Sequence, residues 1–304
     1  MNTIKTLAAI IAVMALCPSL CVAAPILSAD LASFAVLGAE TVTNVPTSTV
    51  VGNVGVSPGS SITGFNSSPG VAVADPQVTG GLVHATTTVA GQAQSGLTIA
   101  RADLTLLGAG TSLSSNLTGL TIVPGVYTVP ADAVSNLTGA VTLDGQGNAN
   151  AAWVFQFLST LITSPGSVVH VINTGSGAGI YWNVGSSATI DTTTSFEGNI
   201  LALTSITLNT HATLGCGRAL ADVGAVTMDM NTIGLGCGRS TGGEGSNGFS
   251  GGITVATGTV PQTPTFLPFV PVGGGGLVGT VPEPGTLSLL ILAIAGLGFS
   301  RKWN

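Results

Sequence analysis

Short runs of alternating apolar and polar residues recur along the second half of the chain. The five-residue runs 187–191, 205–209 and 225–229 follow one another at intervals of 18 and 20 residues. In each run apolar side chains alternate with threonine, a pattern that predicts strands with one buried and one exposed face. Repeats of about 20 residues that hold such short strands predict a β-solenoid with three strands, and so three faces, per coil.

A second set of strands is apolar on both sides. It comprises Tyr181–Val184, Ile200–Leu203 and Ala219–Asp222, which are spaced 19 residues apart, and Trp153–Phe157. Strands of this kind are covered on both faces. We expect the cover to be a helix between His84 and Gly108, because apolar residues recur there at helical steps of three and four. These residues are Val89, Ala93, Leu97, Ala100, Leu104 and Leu107.

Charge is scarce in this chain. Of 304 residues, 6 are Lys or Arg and 12 are Asp or Glu, or 6% in total, against about 25% in an ordinary soluble domain. So few basic residues exclude a nucleic-acid-binding protein, which needs a basic surface to neutralise phosphates. Since 45% of the residues are hydrophobic, the composition also excludes the usual kind of intrinsic disorder.

The N-terminus carries the pattern of a secretory signal. Lys5 precedes an apolar run, Leu7–Leu16, and the small residues 22–24 follow it. This order predicts a signal peptide over residues 1–23, with cleavage after Ala23. Cys17 and Cys21 would leave with it.

The C-terminus combines Pro282, Glu283 and Pro284 with an apolar run, Leu287–Phe299, and a basic end. The run is shorter than the ~20 residues that a relaxed membrane-spanning helix needs. A core helix and a permanent anchor are the alternatives for such a run. Residues 281–304 resemble the PEP-CTERM sorting signal of Gram-negative bacteria, which has a short transmembrane segment and is processed by an exosortase. The resemblance implies a protein that is exported and is either secreted or associated with the cell surface.

Between these ends we expect two regions. Residues 28–239 are predicted to form the folded domain. Residues 240–280 are rich in Gly, Pro and Thr and are predicted to be a flexible linker.

The two remaining cysteines stand in identical pentapeptides. Leu214–Arg218 and Leu235–Arg239 have the same sequence and lie 21 residues apart, which is about one coil. Stacked coils bring Cα atoms within reach of a disulfide, and exported proteins keep disulfides oxidised. We therefore predict a bond between Cys216 and Cys237; the alternative is two free buried thiols.

The predicted domain resembles the microbial ice-binding, or antifreeze, protein family. The resemblance lies in Leu31–Ala39, Val54–Gly59, Pro124–Tyr127, Trp182–Thr189 and Gly198–Leu208. It implies a mostly β fold, an irregular right-handed β-solenoid with one long α-helix packed alongside. It also implies a flat face rich in Thr, Ser, Ala and Asn that binds ice, producing thermal hysteresis and inhibiting ice recrystallisation.

One segment of the chain fits the family's Thr-Ala/Gly-X-Thr/Asn pattern, and a second segment departs from it. Thr118–Thr121 fits it, whereas Thr210–Thr213 places His211 where a small residue is expected. This departure affects the flatness of the face that contains it.

Threonine ladders suit the binding of ice. Their methyl groups order water, and their hydroxyls hold those waters at the ~4.8 Å spacing of adjacent strands. We expect the binding face to be flat and uncharged, and to consist of Thr142, Thr189, Ser205, Thr207, Asn209 and Thr227. A second choice is the adjoining set Thr193, Ser195, His211 and Thr213.

Enzymatic interpretations find little support in the sequence. Gly55–Gly59 matches the Gly-x-Ser-x-Gly nucleophile elbow but lacks the strand–turn–helix context. His84, His170 and His211 have no spacing typical of a metal site or a catalytic triad. We expect no enzyme activity, no cofactor and no metal.

The main alternative is a non-enzymatic structural or adhesion protein of the cell surface or the exopolysaccharide matrix. The expected partners are the ice crystal surface, an exosortase-type enzyme and an exopolysaccharide matrix. We expect no nucleic acid, and contact with a membrane only through the C-terminal segment.

Overall fold

Short parallel strands stack on one another in three rows, as the repeat predicts. The structure is a computed structural model that describes residues 23–131, 134–236, 248–256 and 263–272. These residues belong to one compact unit, residues 23–272. The fold is mostly β, with two helices in the described part of the chain.

Row A contains the strands that are apolar on both sides. In order of pairing, all parallel, it consists of β10 (Thr111–Ser112), β12 (Gly125–Val129), β14 (Ala152–Phe157), β17 (Gly179–Val184), β19 (Ser195–Ala202), β21 (Thr213–Ala221), β2 (Phe34–Gly38), β5 (Asn53–Val56) and β9 (Val83–Ala85). A short antiparallel strand, β7 (Ala72–Val73), closes the end beside β9.

Row B shares two long strands with row A. It consists of β11 (Thr121–Ile122), β13 (Ala140–Asn148), β16 (Val168–Thr174), the first halves of β19 and β21, β23 (Thr232–Gly234), β4 (Thr49–Val51) and β8 (Val78–Thr79). β19 and β21 each bend from row B into row A, at a register shift between Glu197 and Asn199.

Row C is a separate sheet of six parallel strands. It consists of β15 (Leu161–Ile162), β18 (Ala188–Ile190), β20 (Ile206–Leu208), β22 (Val226–Asp229), β3 (Thr41–Val45) and β6 (Ser61–Thr63). Within a coil the chain passes from row A to row C, then to row B, and returns to row A. Three strands per coil is therefore confirmed.

The coils do not stack in chain order. The N-terminal strands β2, β3 and β4 pair with β21, β22 and β23, so the first coil of the sequence lies on the last one. Residues about 180 positions apart in sequence, such as Val42 and Val226, are thus direct neighbours.

The predicted helix is present and covers row A. Helix α1 (Ala29–Ala32) is a single turn, and helix α2 (Thr88–Leu106) has 19 residues. Thr87 caps α2, since its hydroxyl accepts the backbone N–H of Ala90 at 3.2 Å. One face of α2 is buried in the same cluster as side chains of row A. The buried face consists of Ala90, Ala93, Leu97, Ala100 and Leu104, whereas Val89 from the predicted stripe is exposed.

Polar contacts fix the helix on row A. Arg101 forms a 2.9 Å ion pair with Asp222 and donates to the carbonyl of Val184 at 3.1 Å. Thr98 donates to the same carboxylate at 2.7 Å. No helix in the described part of the chain is both long and apolar enough to span a membrane.

The register of row A differs by one residue from the predicted one at one pair of strands. Ile200 pairs with Ala219, as the spacing of 19 predicts, but it also pairs with Trp182 rather than Tyr181. The Trp182 ring turns inward, where it stacks on Phe155 at 4.2 Å between ring centres and contacts Phe196. Packing of this aromatic stack selects a register that spacing alone does not.

The predicted linker contains ordered structure. A small antiparallel sheet joins β1 (Ala23–Pro25), β24 (Ile253–Ala256) and β25 (Thr265–Phe266). Phe249 and Ile253 are buried against the domain. The chain therefore contacts the domain well beyond residue 239, because Ile253 packs in the core cluster that contains Leu27 and Leu31, and Phe249 packs in the cluster that contains Trp182.

Several predictions fall partly or wholly outside the described residues. They include the sorting signal, the signal peptide apart from Ala23, and Cys237. Cys216 is buried on β21, and Leu214 pairs with Ile233 rather than with Leu235. The two pentapeptides are therefore not in simple register, and the Cys216–Cys237 bond stays a prediction.

Candidate functional site

Five threonines form an unbroken ladder on the outer side of row C. The strand registers place Thr189 beside Thr207, Thr207 beside Thr227, Thr227 beside Thr43, and Thr43 beside Thr63. At the usual distance between strands, neighbouring threonines are about 4.8 Å apart. At one end Ile162 continues the ladder beside Thr189.

Alternation within each strand turns the threonines outward. The residue immediately before each of these threonines is buried in the core. These residues are Ala188, Ile206, Val226, Val42 and Ile62. Because successive side chains of a strand point to opposite faces, each threonine must face outward. The ladder therefore stands on a row of packed apolar side chains.

The hydroxyls of this ladder are available to water. Within the described residues, none of the five threonines makes a side-chain hydrogen bond to the protein. Thr189, Thr207, Thr227 and Thr43 are half-buried, and Thr63 is exposed. A second line of small residues runs two positions earlier: Ser187, Ser205, Ala225, Thr41 and Ser61. Two of its hydroxyls are occupied, since Ser187 accepts the N–H of Ser205 at 3.3 Å and Ser205 that of Ala225 at 3.2 Å. The outer surface of row C is therefore two side chains wide and built of small groups.

The border of this surface carries charge, contrary to the prediction of an uncharged face. Two positions after the threonines stand Asp191, Asn209 and Asp229. Asn209 donates to Asp191 at 2.9 Å, and Thr210 donates to Asp229. The amide of Asn209 is therefore engaged with a neighbour, and both carboxylates are held at the edge of row C.

Thr142 does not belong to this surface, and its assignment to the ladder is wrong. It lies on β13 in row B, between Thr121 and His170. Its run Val141-Thr142-Leu143 has the same alternation as the row C strands. Alternation identifies the exposed side of a strand, but it does not identify the row to which the strand belongs.

The second-choice residues divide between a strand row and a corner. Ser195 pairs with Thr213 in row B, and Thr232 and Thr49 continue that line. Thr193 and His211 are exposed at the corner between rows C and B, with φ of 56° and 60°. The second-choice set is therefore not a single face.

Row B is also interrupted by a carboxyl group. Glu197 lies beside Gly215, two positions along from the Ser195–Thr213 pair and so on the same side of the strands. Burial raises the pKa of Glu197 from 4.5 to about 7, and its Oε2 atom has no hydrogen-bond partner among the described residues. Glycines and a carboxyl group make this row less regular than row C.

Sequence analysis missed the N-terminal part of the ladder, Thr43 and Thr63 with their neighbours Thr41 and Ser61. The signal was present, because Ser61-Ile62-Thr63 repeats Ser205-Ile206-Thr207 and Thr41-Val42-Thr43 differs little from it. The repeat was missed because these N-terminal segments lie far in sequence from the runs that they resemble.

The sites considered for catalysis take other roles. Gly55–Gly59 leads from β5 towards β6 rather than into a helix. His84 packs edge-on against Phe34, with ring centres 5.3 Å apart, and burial lowers its pKa. Among the described residues, no three His, Cys, Asp or Glu side chains are grouped so that they could hold a metal ion.

Comparison with known families gives two matches. The family described as ice-binding-like matches residues 36–234, and the PEP-CTERM protein-sorting motif matches residues 280–302. The second match agrees with the resemblance seen in the sequence.

The chain is similar to proteins from several organisms. It is 45% identical over 206 residues to the ice-binding protein of Nostoc sp. strain HG1, covering 67% of this chain and 72% of that protein. It is 30% identical over 222 residues to the ice-binding protein of Flavobacterium frigoris, covering 66% and 73%.

Solved structures show the same similarity. A crystal structure of an ice-binding protein from an Antarctic biological consortium aligns with a TM-score of 0.59 at 38% identity, covering 69% of this chain and 91% of that one. The ice-binding protein of the ascomycete Antarctomyces psychrotrophicus aligns with a TM-score of 0.60 at 34% identity, covering 68% and 96%.

Proposed function

The chain belongs to the ice-binding-like family, and from this premise we propose that it adsorbs to ice through the outer surface of row C. The observation that carries the assignment to row C is the in-register ladder from Thr189 to Thr63. This family consists of ice-binding proteins rather than enzymes, so the surface needs no catalytic group.

The ladder favours ordered water over ordinary hydration. Each threonine presents a methyl group, around which water orders, beside a hydroxyl that fixes one of those waters. Five such pairs repeat about every 4.8 Å across a flat parallel sheet. A regular layer of held water of this kind can join a growing crystal, whereas a charged side chain holds water in a different geometry.

Row C suits this role better than row B. In five of the six strands of row C the central position is threonine. The carboxylates of Asp191 and Asp229 stand at the border, where hydrogen bonds hold them. In row B the carboxyl group of Glu197 and the gap at Gly215 lie within the face. Of these two rows, only row C offers an ice surface a regular line of side chains of similar size.

Adsorbed protein forces ice to grow as curved fronts between the bound molecules. This lowers the local freezing temperature, which is thermal hysteresis, and it blocks recrystallisation. An ice-recrystallisation assay at micromolar protein tests the function directly: small crystals support it, and crystals as coarse as those in buffer contradict it.

The sorting motif at residues 280–302 means that the chain is exported in a Gram-negative bacterium and processed by an exosortase. We place the processed domain at the cell surface, with residues 1–23 removed as signal peptide and 281–304 as sorting signal. We further propose that the β-solenoid of the processed domain is right-handed.

A role in an exopolysaccharide matrix is the second candidate, and the sorting motif favours it. The two roles are compatible, since a surface-held domain can attach a cell or its matrix to ice. Binding of the cell's own exopolysaccharide by the Thr207→Tyr variant separates them. A matrix role that is independent of ice survives this substitution, whereas ice binding does not.

The proposed Cys216–Cys237 bond would close the last coil. Intact mass of the unreduced, alkylated protein measures it directly. A mass without added alkyl groups on these residues supports the bond, and two alkylated cysteines contradict it.

A further inference from the structure

A cavity opens where helix α2 ends on row A. It has a volume of about 500 Å³ and lies between the last turn of α2 and the strands β12, β14 and β17. The five threonines of the row C ladder lie outside its lining. A cavity of this size takes a small molecule of one or two rings. It therefore has room for a ligand at a place that ice binding does not use.

The floor of this cavity is polar, whereas the rest of the same line across row A is apolar. Where α2 covers row A, the line consists of leucines that are buried in one cluster with the helix: Leu37, Leu220 and Leu201. In the next three strands the line continues with Asn183, Gln156 and Thr128. Row A thus exchanges leucine for hydrogen-bonding groups at the strands where its helical cover ends.

The donors of the two amides hold the end of the helix, but one acceptor is left over. Gln156 Nε2 donates to the carbonyl of Leu104 at 2.6 Å. Asn183 Nδ2 donates to Thr105 Oγ1 at 3.2 Å and to Gln156 Oε1 at 2.8 Å. Asn183 is 6% exposed, and its Oδ1 atom has no hydrogen-bond partner among the described residues. Since an unpaired buried acceptor is unfavourable, the floor lacks a hydrogen-bond donor.

Charge in the lining is already neutralised. Among the described residues that line the cavity, Arg101 alone is charged. Its guanidinium group pairs with Asp222 at 2.9 Å and donates to the carbonyl of Val184 at 3.1 Å. An anionic or cationic ligand therefore finds no unpaired opposite charge here, and the cavity favours a neutral one.

The mouth of the cavity combines small residues with an apolar rim. Gly108, Ala109 and Gly185 leave it open, and Leu158 beside them is 66% exposed. Pockets that combine apolar walls with a few placed polar groups bind and orient small molecules. A sugar ring matches this mixture, because it has C–H groups on its faces and hydroxyls around its edge.

We infer that this cavity binds a neutral saccharide unit, one hydroxyl of which donates to Asn183 Oδ1. That oxygen is shielded from water, so the amide turns slightly to meet the hydroxyl, as side chains commonly do on binding. A hydroxyl supplies the missing donor without bringing charge, and the C–H groups of the ring pack on Leu158. The inference does not rest on ice binding; it gives the role in an exopolysaccharide matrix a site that holds sugar units.

Saturation-transfer-difference NMR tests the inference on the purified protein with D-glucose, D-galactose and D-mannose. At least one of them should bind with a dissociation constant on the order of 1 mM or lower, and D-glucuronate should bind about tenfold more weakly than D-glucose. The methyl glycosides identify the source: equal affinity indicates a unit of a polysaccharide chain, and lost affinity indicates a free sugar. The absence of binding by all three sugars up to about 20 mM overturns the inference, as does tighter binding of glucuronate.

Three variants locate the site. Ala109→Trp fills the mouth and should lower the affinity by about tenfold or more, whereas Ala102→Trp places the same ring on the exposed face of α2 and should change it by less than about twofold. Asn183→Leu repeats the neighbouring Leu201 and should abolish binding while circular dichroism shows the native fold. Unchanged affinity in Ala109→Trp or in Asn183→Leu overturns the assignment to this cavity. Thr207→Tyr should keep sugar binding and Ala109→Trp should keep thermal hysteresis, so failure of ice binding and failure of sugar binding are seen separately.

Discussion

A tyrosine at position 207 should abolish most of the activity without affecting the fold. Thr207 is the second of five threonines in a ladder about 19 Å long, four intervals of about 4.8 Å. Its direct neighbours are Thr189 and Thr227. An aromatic side chain covers on the order of 150–250 Å², so the new ring shields both neighbours and keeps ice away from three of the five threonines.

Stability should be nearly unchanged by this substitution. Thr207 is half-buried with its side chain outside the core, and tyrosine is favoured in strands. The free energy of unfolding should therefore change by no more than about 0.5 kcal/mol. Urea denaturation followed by circular dichroism measures this.

Nanolitre osmometry then measures thermal hysteresis, which should fall by more than about half, in line with the shielded share of the ladder. The matched control is Thr213→Tyr, which places the same ring on row B and should retain the activity. Full activity of Thr207→Tyr, together with loss in Thr213→Tyr, would refute the assignment to row C and move the site to row B.

Four further outcomes follow from the same structure. Thr43→Tyr should lower thermal hysteresis about as much as the change at 207, because its strand continues the ladder beside β22. Thr142→Tyr should leave hysteresis intact, since its strand belongs to row B; a loss there would contradict the row assignment. The contribution of Glu197 to stability should fall between pH 4.5 and 7 and then level off, because the folded protein keeps a proton on Glu197 that the unfolded chain releases. Glu197→Gln should remove this fall and raise the free energy of unfolding at pH 8 by about 2 kcal/mol, as urea titrations at several pH values would show. Arg101→Ala should destabilise the fold by about 3 kcal/mol in the same assay, since it leaves the Asp222 carboxylate, 6% exposed, without its ion pair; a loss below 1 kcal/mol, the size of a surface pair, would contradict it.

Local patterns predicted the strands and the helix well. The alternation around Thr189, Thr207 and Thr227 is confirmed by the burial of Ala188, Ile206 and Val226. Helical spacing predicts a helix along the apolar stripe from Val89 to Leu107, and α2 begins and ends within about two residues of that stripe. Each of these features depends on side chains only a few residues apart, so the sequence contains all the information needed.

Predictions that depended on how distant segments meet were less successful. Thr142 was assigned to the ladder and lies in row B. Composition predicts a flexible linker over residues 240–280, yet β24 within it pairs with β1 near the other end of the chain. These contacts join parts of the chain that are far apart in sequence, and spacing within one segment says nothing about them.

The sequence by itself determined the kind of surface this protein presents: strands with small, uncharged outer residues on a buried apolar row. It did so because alternation is a property of each strand alone. Only the tertiary structure decided how long the threonine ladder is and where it ends. Thr43 and Thr63 join it because the first coil stacks on the last, and that stacking is selected by the burial of the whole apolar row, from Ile62 through Val226 to Ala188, rather than by any local pattern.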